Sequence, residues 1–342
     1  MTAWMRAHRR GVVAFVGAVA GAVILAGGMP HRAAAADRVS IRTNWLWYGS
    51  HSIFFLAKEK GFYQDANLEV DIKQGNGSSN VARLIANRDS TFGYISIGAL
   101  INNAAQGAPI IAVATIDAQG SDAVLCRPDA GISKIQDLNG KEILTTAGSG
   151  VNSFWPVVVK TAKLDEKSIK MVNVAENALV PSYLKGLAPC MLGGLDDKPA
   201  EIEANGGKKP VAFAYSDYGA DQPGYAIATH KNLVRDNPDL VRRFVLATLR
   251  GVKAAKENPD ASVKAMSDWS TLDEAGTKQA RQVLDFTLSI LISRNNKEKR
   301  LGLNVREDYE SALQLLKTYR GLETTMTADQ LFTNEFVPTT LP

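Results

Sequence analysis

The chain has 342 residues, with 39 basic against 35 acidic side chains, four histidines, two cysteines and a formal charge of +4. The excess charge sits at the N-terminus: residues 1–36 hold four arginines and no acid, leaving 35 of the 39 basic residues to balance 35 acids. A neutral body offers no electrostatic reason for a nucleic-acid or membrane-surface partner, and with only His51 and His230 beyond residue 36 a histidine-built metal site is not expected.

Arg6, Arg9 and Arg10 open the chain, Gly11 to Gly28 carries no charge and is rich in Val and Ala, and Ala34-Ala35-Ala36 precedes Asp37. A basic start, an apolar run and a small-residue site make a secretory signal, with cleavage expected after Ala36 and a periplasmic destination. A retained membrane anchor is the competing reading. The many Gly and Ala of the run and the nearby cleavage site favour removal. Arg9-Arg10 leaves general and twin-arginine export both open. Cys126 and Cys190 each fall in an apolar, strand-like stretch, so a disulfide and two buried thiols are both open.

Beyond the signal, strand-like and helix-like segments alternate. Val39 to Thr43 reads as a strand, Ile53 to Lys60 as a helix ended by Gly61, and Leu68 to Lys73 as a strand. A loop at Gly75–Ser79 leads to a helix ending at Ala86, then a strand at Phe92–Ser96, a helix at Leu100–Gln106 and a β-branched strand at Ile110–Thr115. This rhythm predicts a parallel sheet covered by helices on both faces. A second run begins near Ala123. Its strands are expected at Val124–Cys126, Ile143–Thr146, Lys170–Val174, Pro189–Gly193 and Pro210–Tyr215, with helices at Asn152–Lys163 and Leu179–Gly186. After Tyr225 the pattern is helix after helix. Asn237-Pro238 and Asn258-Pro259 each supply an N-cap followed by Pro at the first helical position. Helices at Asp273–Ser293 and Arg306–Tyr319 follow. The predicted architecture is α/β, with two α/β lobes joined by a hinge and a helical C-terminal tail. Residues 37–116 begin lobe 1, 117–222 form lobe 2, and 223–342 return to lobe 1 and supply the tail. The crossings are expected near Thr115–Asp122 and Asp217–Gly224.

In parallel α/β sheets, ligands bind beyond the carboxyl ends of the strands. The loop after the first strand holds Asn44, Trp45, Trp47, Tyr48 and His51, a set able to stack on a flat solute and hydrogen-bond its edge. The next loop offers Gly77 and Ser78, with backbone able to approach closely and a hydroxyl to donate. Gly148, Ser149, Gly150 and Asn152 precede an expected helix, where free amides suit a carboxylate, sulfonate or phosphate. Ser96 to Gly98, the pair Asp196-Asp197, and Tyr218 with Tyr225 complete the candidates. The loop Gly148-Ser149-Gly150 lacks the spacing of a hydrolase nucleophile elbow, and no phosphate-binding loop or dinucleotide fingerprint occurs. No cofactor is expected.

Asn44-Trp45, the run Ala57-Lys58-Glu59-Lys60-Gly61-Phe62-Tyr63 and Leu68-Glu69-Val70 resemble the opening of periplasmic binding proteins for thiamine pyrimidine precursors, aliphatic sulfonates, nitrate and taurine. The Gly148–Gly150 loop and the helix opened by Asn237-Pro238-Asp239-Leu240-Val241 are similar to theirs as well. The resemblance implies a type II periplasmic-binding-protein fold whose lobes close on a ligand, with Asn44, Trp45 and Gly148–Gly150 lining the cleft. It also implies a monomeric binding component of an ABC importer that passes a small-molecule ligand to a transmembrane permease. Pyrimidine-precursor members tend to carry an aromatic and a Glu where this chain has Leu195-Asp196-Asp197-Lys198-Pro199, which counts against a pyrimidine. The expected ligand is a small organic molecule, aromatic or bearing a sulfonate or carboxylate. An enzyme on the same scaffold is the rival. The pyrimidine synthases of this fold carry a Cys-rich motif absent here, and a desulfinase would need Cys126 or Cys190 as nucleophile. A ligand-presenting sensor subunit is a third reading.

Overall fold

The computed structural model describes residues 35–341, so the expected signal segment lies outside the described residues apart from Ala35 and Ala36. Ten strands occur among the described residues: β1 (Asp37–Arg42), β2 (Leu68–Lys73), β3 (Phe92–Ser96), β4 (Ile110–Asp117), β5 (Asp122–Cys126), β6 (Glu142–Thr145), β7 (Lys170–Asn173), β8 (Cys190–Gly194), β9 (Val211–Ala214) and β10 (Tyr225–His230). They form two five-stranded sheets of order β2-β1-β3-β10-β4 and β7-β6-β8-β5-β9. Among the described residues no helix is long and apolar enough to cross a membrane.

Local sequence explains most of these elements. In β2, Leu68, Val70 and Ile72 face inward while Glu69 and Asp71 face water, a two-residue alternation that suits an edge strand. β3 lies inside its sheet and is buried throughout, so it reads as a continuous apolar run. The long helix Pro238–Glu257 starts where the Asn237 side chain accepts from the Leu240 amide at 3.2 Å, and Asn258 caps Pro259–Ser267 through Ala261 at 3.0 Å. Phe244 of the long helix stacks on Phe92 of β3 at 3.8 Å between ring centroids, fixing the helix to the first sheet.

The all-parallel expectation needs correction. β1 pairs in parallel with β2 and β3, but β10 runs antiparallel between β3 and β4, and β5 runs antiparallel between β8 and β9. Both exceptions follow from the crossings. β4 ends at Asp117 and β5 starts at Asp122, so the chain enters the second sheet from the cleft and must run away from it. The return through Tyr215–Tyr218 delivers β10 to the first sheet from the same side. β10 itself was hidden in the sequence. Tyr225-Ala-Ile-Ala-Thr-His is buried along nearly its whole length, so it shows no alternation, and its small residues blend into the helical texture that follows.

The crossing segments are tied together. Gly224 N donates to Asp117 O at 2.8 Å, Ile97 N donates to Gly224 O at 2.9 Å, and Leu195 N donates to Ser121 O at 2.8 Å. One apolar cluster runs from the helix Ile97–Ala105 through the helix Trp155–Thr161 to Tyr309, Leu313 and Leu316 of the C-terminal helix Arg306–Arg320, so the two sheets share a core. Cys126 and Cys190 lie opposite each other in the β5–β8 pair and form a disulfide.

Candidate functional site

A narrow cleft lies where the strand ends of the two sheets meet. The first sheet contributes the loop after β1. Its path is set by backbone bonds: Gly77 N donates to Asn44 O at 2.8 Å, and Gly75 N donates to Trp45 O at 3.1 Å. The Thr43 hydroxyl also donates to Trp45 O, at 2.7 Å. Asn44, Trp45 and Tyr48 face the cleft. His51 does not. It is fully buried, and burial pushes its pKa down to about 3, so the ring is neutral. Tyr48 N donates to His51 Nδ1 at 3.4 Å, which leaves the proton on Nε2 to donate to Asn44 Oδ1 at 2.8 Å. His51 therefore orients Asn44 and leaves its amide NH₂ free to turn toward a ligand or the Tyr48 hydroxyl, 3.4 Å away. Trp47 turns into the first core, edge-on to Phe55 at 5.0 Å.

The glycine-rich loops meet across one edge of the cleft. Ser78 and Gly150 line it, but Gly77, Gly98 and Gly148 form a seam where the lobes touch. A Cβ on Gly77 would stand 2.9 Å from Gly148 O, and one on Gly150 would stand 2.7 Å from Ser96 Oγ. At Gly98 a Cβ would collide with the Ser153 side chain. Ser96 is committed locally: its hydroxyl caps the helix Ile97–Ala105 by accepting from Ala99 N at 3.3 Å, and its amide donates to Ser78 Oγ at 3.1 Å. Ser149 faces the cleft, whereas Asn152 holds the loop from behind, accepting from Thr145 Oγ1 at 2.6 Å and donating to Thr146 O at 2.9 Å. The helix expected from Asn152 begins only at Trp155. Gly150–Ser153 is a single 3-10 turn. Tyr218 lies on the second lobe away from the cleft, its carbonyl accepting from Thr161 Oγ1 at 2.5 Å. Tyr225, its companion candidate and the first residue of β10, does line the cleft.

The opposite wall comes from the turn after β8. Asp196, Asp197 and Lys198 line the cleft together with Gly193 and Gly194. A Cβ on Gly194 would collide with Asp196 Oδ1, so glycine is what lets this carboxylate fold back against the strand. Burial drives the Asp197 carboxyl up to about 7, and Asp196 is raised by burial too. Burial alone would lower Lys198, but Asp197 at 3.0 Å and Glu201 at 2.7 Å outweigh it and hold the ammonium above the usual lysine range. Lys198 Nζ sits 5.9 Å from the Trp45 ring centroid. On the rim, Leu46 N donates to Glu176 Oε1 across the lobes at 3.5 Å, and burial pushes Glu176 up to about 8. Lys198, the buried hinge acid Asp117 and the half-buried Asp122 were not among the residues sequence reasoning selected. The only local signal was a lysine directly after two acids at a helix start.

The NMT1/THI5-like family model matches residues 49–262, from the end of the aromatic loop to the second capped helix. The chain belongs to the NMT1/THI5-like family. Its relatives in sequence include a putative thiamine biosynthesis protein of Haemophilus influenzae, 23% identical over 205 residues that make up 59% of this chain and 64% of that protein. The 4-amino-5-hydroxymethyl-2-methylpyrimidine phosphate synthase of Legionella pneumophila is 21% identical, covering 89% of this chain and 93% of that one. The riboflavin-binding protein RibY of Chloroflexus aurantiacus is 22% identical, covering 90% and 88%. Among solved structures, the alkanesulfonate-binding protein SsuA of Xanthomonas axonopodis pv. citri, bound to MOPS, superposes with a TM-score of 0.68 at 13% identity, over 88% of this chain and all of that one. This NMT1/THI5-like chain thus has the periplasmic-binding-protein fold, in agreement with the resemblance read from Asn44-Trp45 and Leu68-Glu69-Val70.

Proposed function

We propose that the chain is the solute-binding component of an ABC importer, holding one small planar molecule between its lobes. One observation carries this reading: Trp45, Tyr48 and Tyr225 converge on an interlobe cleft whose polar edge is Asn44 on one lobe and Asp196 on the other. Aromatic faces with a few fixed polar groups suit a flat organic solute. Riboflavin, named for one relative, is flat in this sense. The exported, monomeric protein would then present both closed lobes to a transmembrane permease in the periplasm.

A relative named as a synthase raises the enzyme reading. The two cysteines are joined in a disulfide outside the cleft lining, so the thiol that a desulfinase would need is taken up, and the buried histidine beside the cleft is neutral and hydrogen-bonded to Asn44. Mass spectrometry of solute retained by the exported protein tests the proposal, with calorimetry of that solute on Trp45→Ala and Tyr225→Ala. Binding weakened in both supports the cleft. Unchanged binding in both variants, or turnover of the solute, rejects it.

A further inference from the structure

We infer that the solute is an organic cation, an amine or amidine carried on a flat scaffold, and not an anion. This rests on the solute-binding reading and names the charge class that the cleft selects.

The argument begins with charge. Asp196 and Asp197 line the cleft, and no arginine does. The one lining cation, Lys198, is spent on Asp197 and Glu201. Two further carboxylates stand directly behind the wall. Asp117 lies opposite Tyr225 in the β4–β10 pairing, and Asp122 lies opposite Gly194 in the β5–β8 pairing. The two crossings thus bring Asp117, Asp122 and Asp196 together, and the cation near Asp196, Lys198, is already paired with Asp197 and Glu201. An anionic solute would enter against all of them, whereas a cation would satisfy them.

An independent observation points the same way. Asp117 is only 1% exposed and Tyr94 is fully buried; the Tyr94 hydroxyl and the Asp117 carboxyl face each other, and no basic side chain neutralises Asp117. They lie just behind the cleft: the Tyr94 ring stacks on Tyr225 at 5.2 Å. Tyr225 and Trp45 also offer aromatic faces to the cleft, and such faces attract cations. Burial pushes the Asp117, Asp122 and Asp196 carboxyls upward, and an incoming cation would pull them back down.

The test is calorimetry and thermal shift of the processed full chain at pH 7.5 with four matched probes: benzamidine, benzamide, benzoate and benzenesulfonate. Benzamidine is expected to bind and raise the melting temperature, and the two anions to do neither. Asp196→Asn and Asp117→Asn should each weaken benzamidine at least tenfold. Asp117→Asn should also raise the melting temperature of the unliganded protein, because it removes a buried carboxyl that no basic side chain neutralises; a purely structural Asp117 would lower it. Binding of benzoate or benzenesulfonate without benzamidine overturns the cation class and leaves solute binding standing. Silence of all four probes, with no solute retained by the exported protein, overturns both.

Discussion

Along one edge of the cleft the lobes touch through Gly77, Gly98, Gly148 and Gly150, where the absence of side chains is the functional property. Along the other edge stand Trp45, Tyr48, Tyr225, Asp196 and Lys198, where the side chains carry everything. On the proposed function, the seam would set whether the lobes can meet and the wall what they meet around. Both edges are assembled from loops after strands, and in sequence the seam is the more conspicuous of the two. Glycine beside serine reads as a binding loop, but here most of its members are spacers. Changes in the seam should therefore block closure for any solute, and changes in the wall should discriminate between solutes.

The largest effect is expected from Gly98→Val, which forces a branched side chain against Ser153. Overpacking of this kind costs about 3 kcal/mol, or roughly 150-fold in affinity, because closure is coupled to binding. Small-angle scattering should find the variant open with solute present; a closed variant of normal affinity would break the division between seam and wall. Trp45→Ala comes next, with a loss of about 2 kcal/mol, near 30-fold, by calorimetry, and with closure intact. A variant unable to close would move Trp45 to the seam side.

The wall also predicts a pH profile. Asp122 and Asp197 are pushed up to about 7 and Glu176 to about 8, all chiefly by burial, against ordinary carboxyl values near 4. The charged groups acting on them are Asp196, Asp197, Glu201 and the cation Lys198. A raised carboxyl means that the folded state binds the proton more tightly than the unfolded chain does. Its contribution to stability is complete below about pH 4 and is lost as pH rises toward 8. The unliganded protein should melt several degrees higher at pH 5 than at pH 8.5. A profile that rises with pH would contradict the buried-acid wall. The smallest effect is a control outside both edges. Asn237→Ala removes the cap on Leu240 and should cost about 1 kcal/mol of stability in denaturant unfolding, with solute affinity unchanged. Weakened binding would mean that the long helix takes part in closure.

Much of this molecule was legible segment by segment. The Asn237-Pro238 and Asn258-Pro259 starts, the alternation of β2 and the aromatic loop after β1 are each decided by neighbours in the chain, because capping and side-chain periodicity act over a few residues. They suffice for the two-lobed α/β fold and for locating Asn44, Trp45, Tyr48 and Ser149 beside the cleft. Other facts depended on where distant segments came to rest. The insertion of β10 beside β3, the pairing of Cys126 with Cys190 and the turn of Trp47 and Tyr218 away from the cleft are set by packing that no local pattern encodes. The same holds for the acids. Asp117, Asp122 and Asp196 look like ordinary solvated carboxylates in the sequence. Only the two crossings bring them together out of water, and it is the loss of hydration there that turns three unremarkable residues into a charge-selective wall.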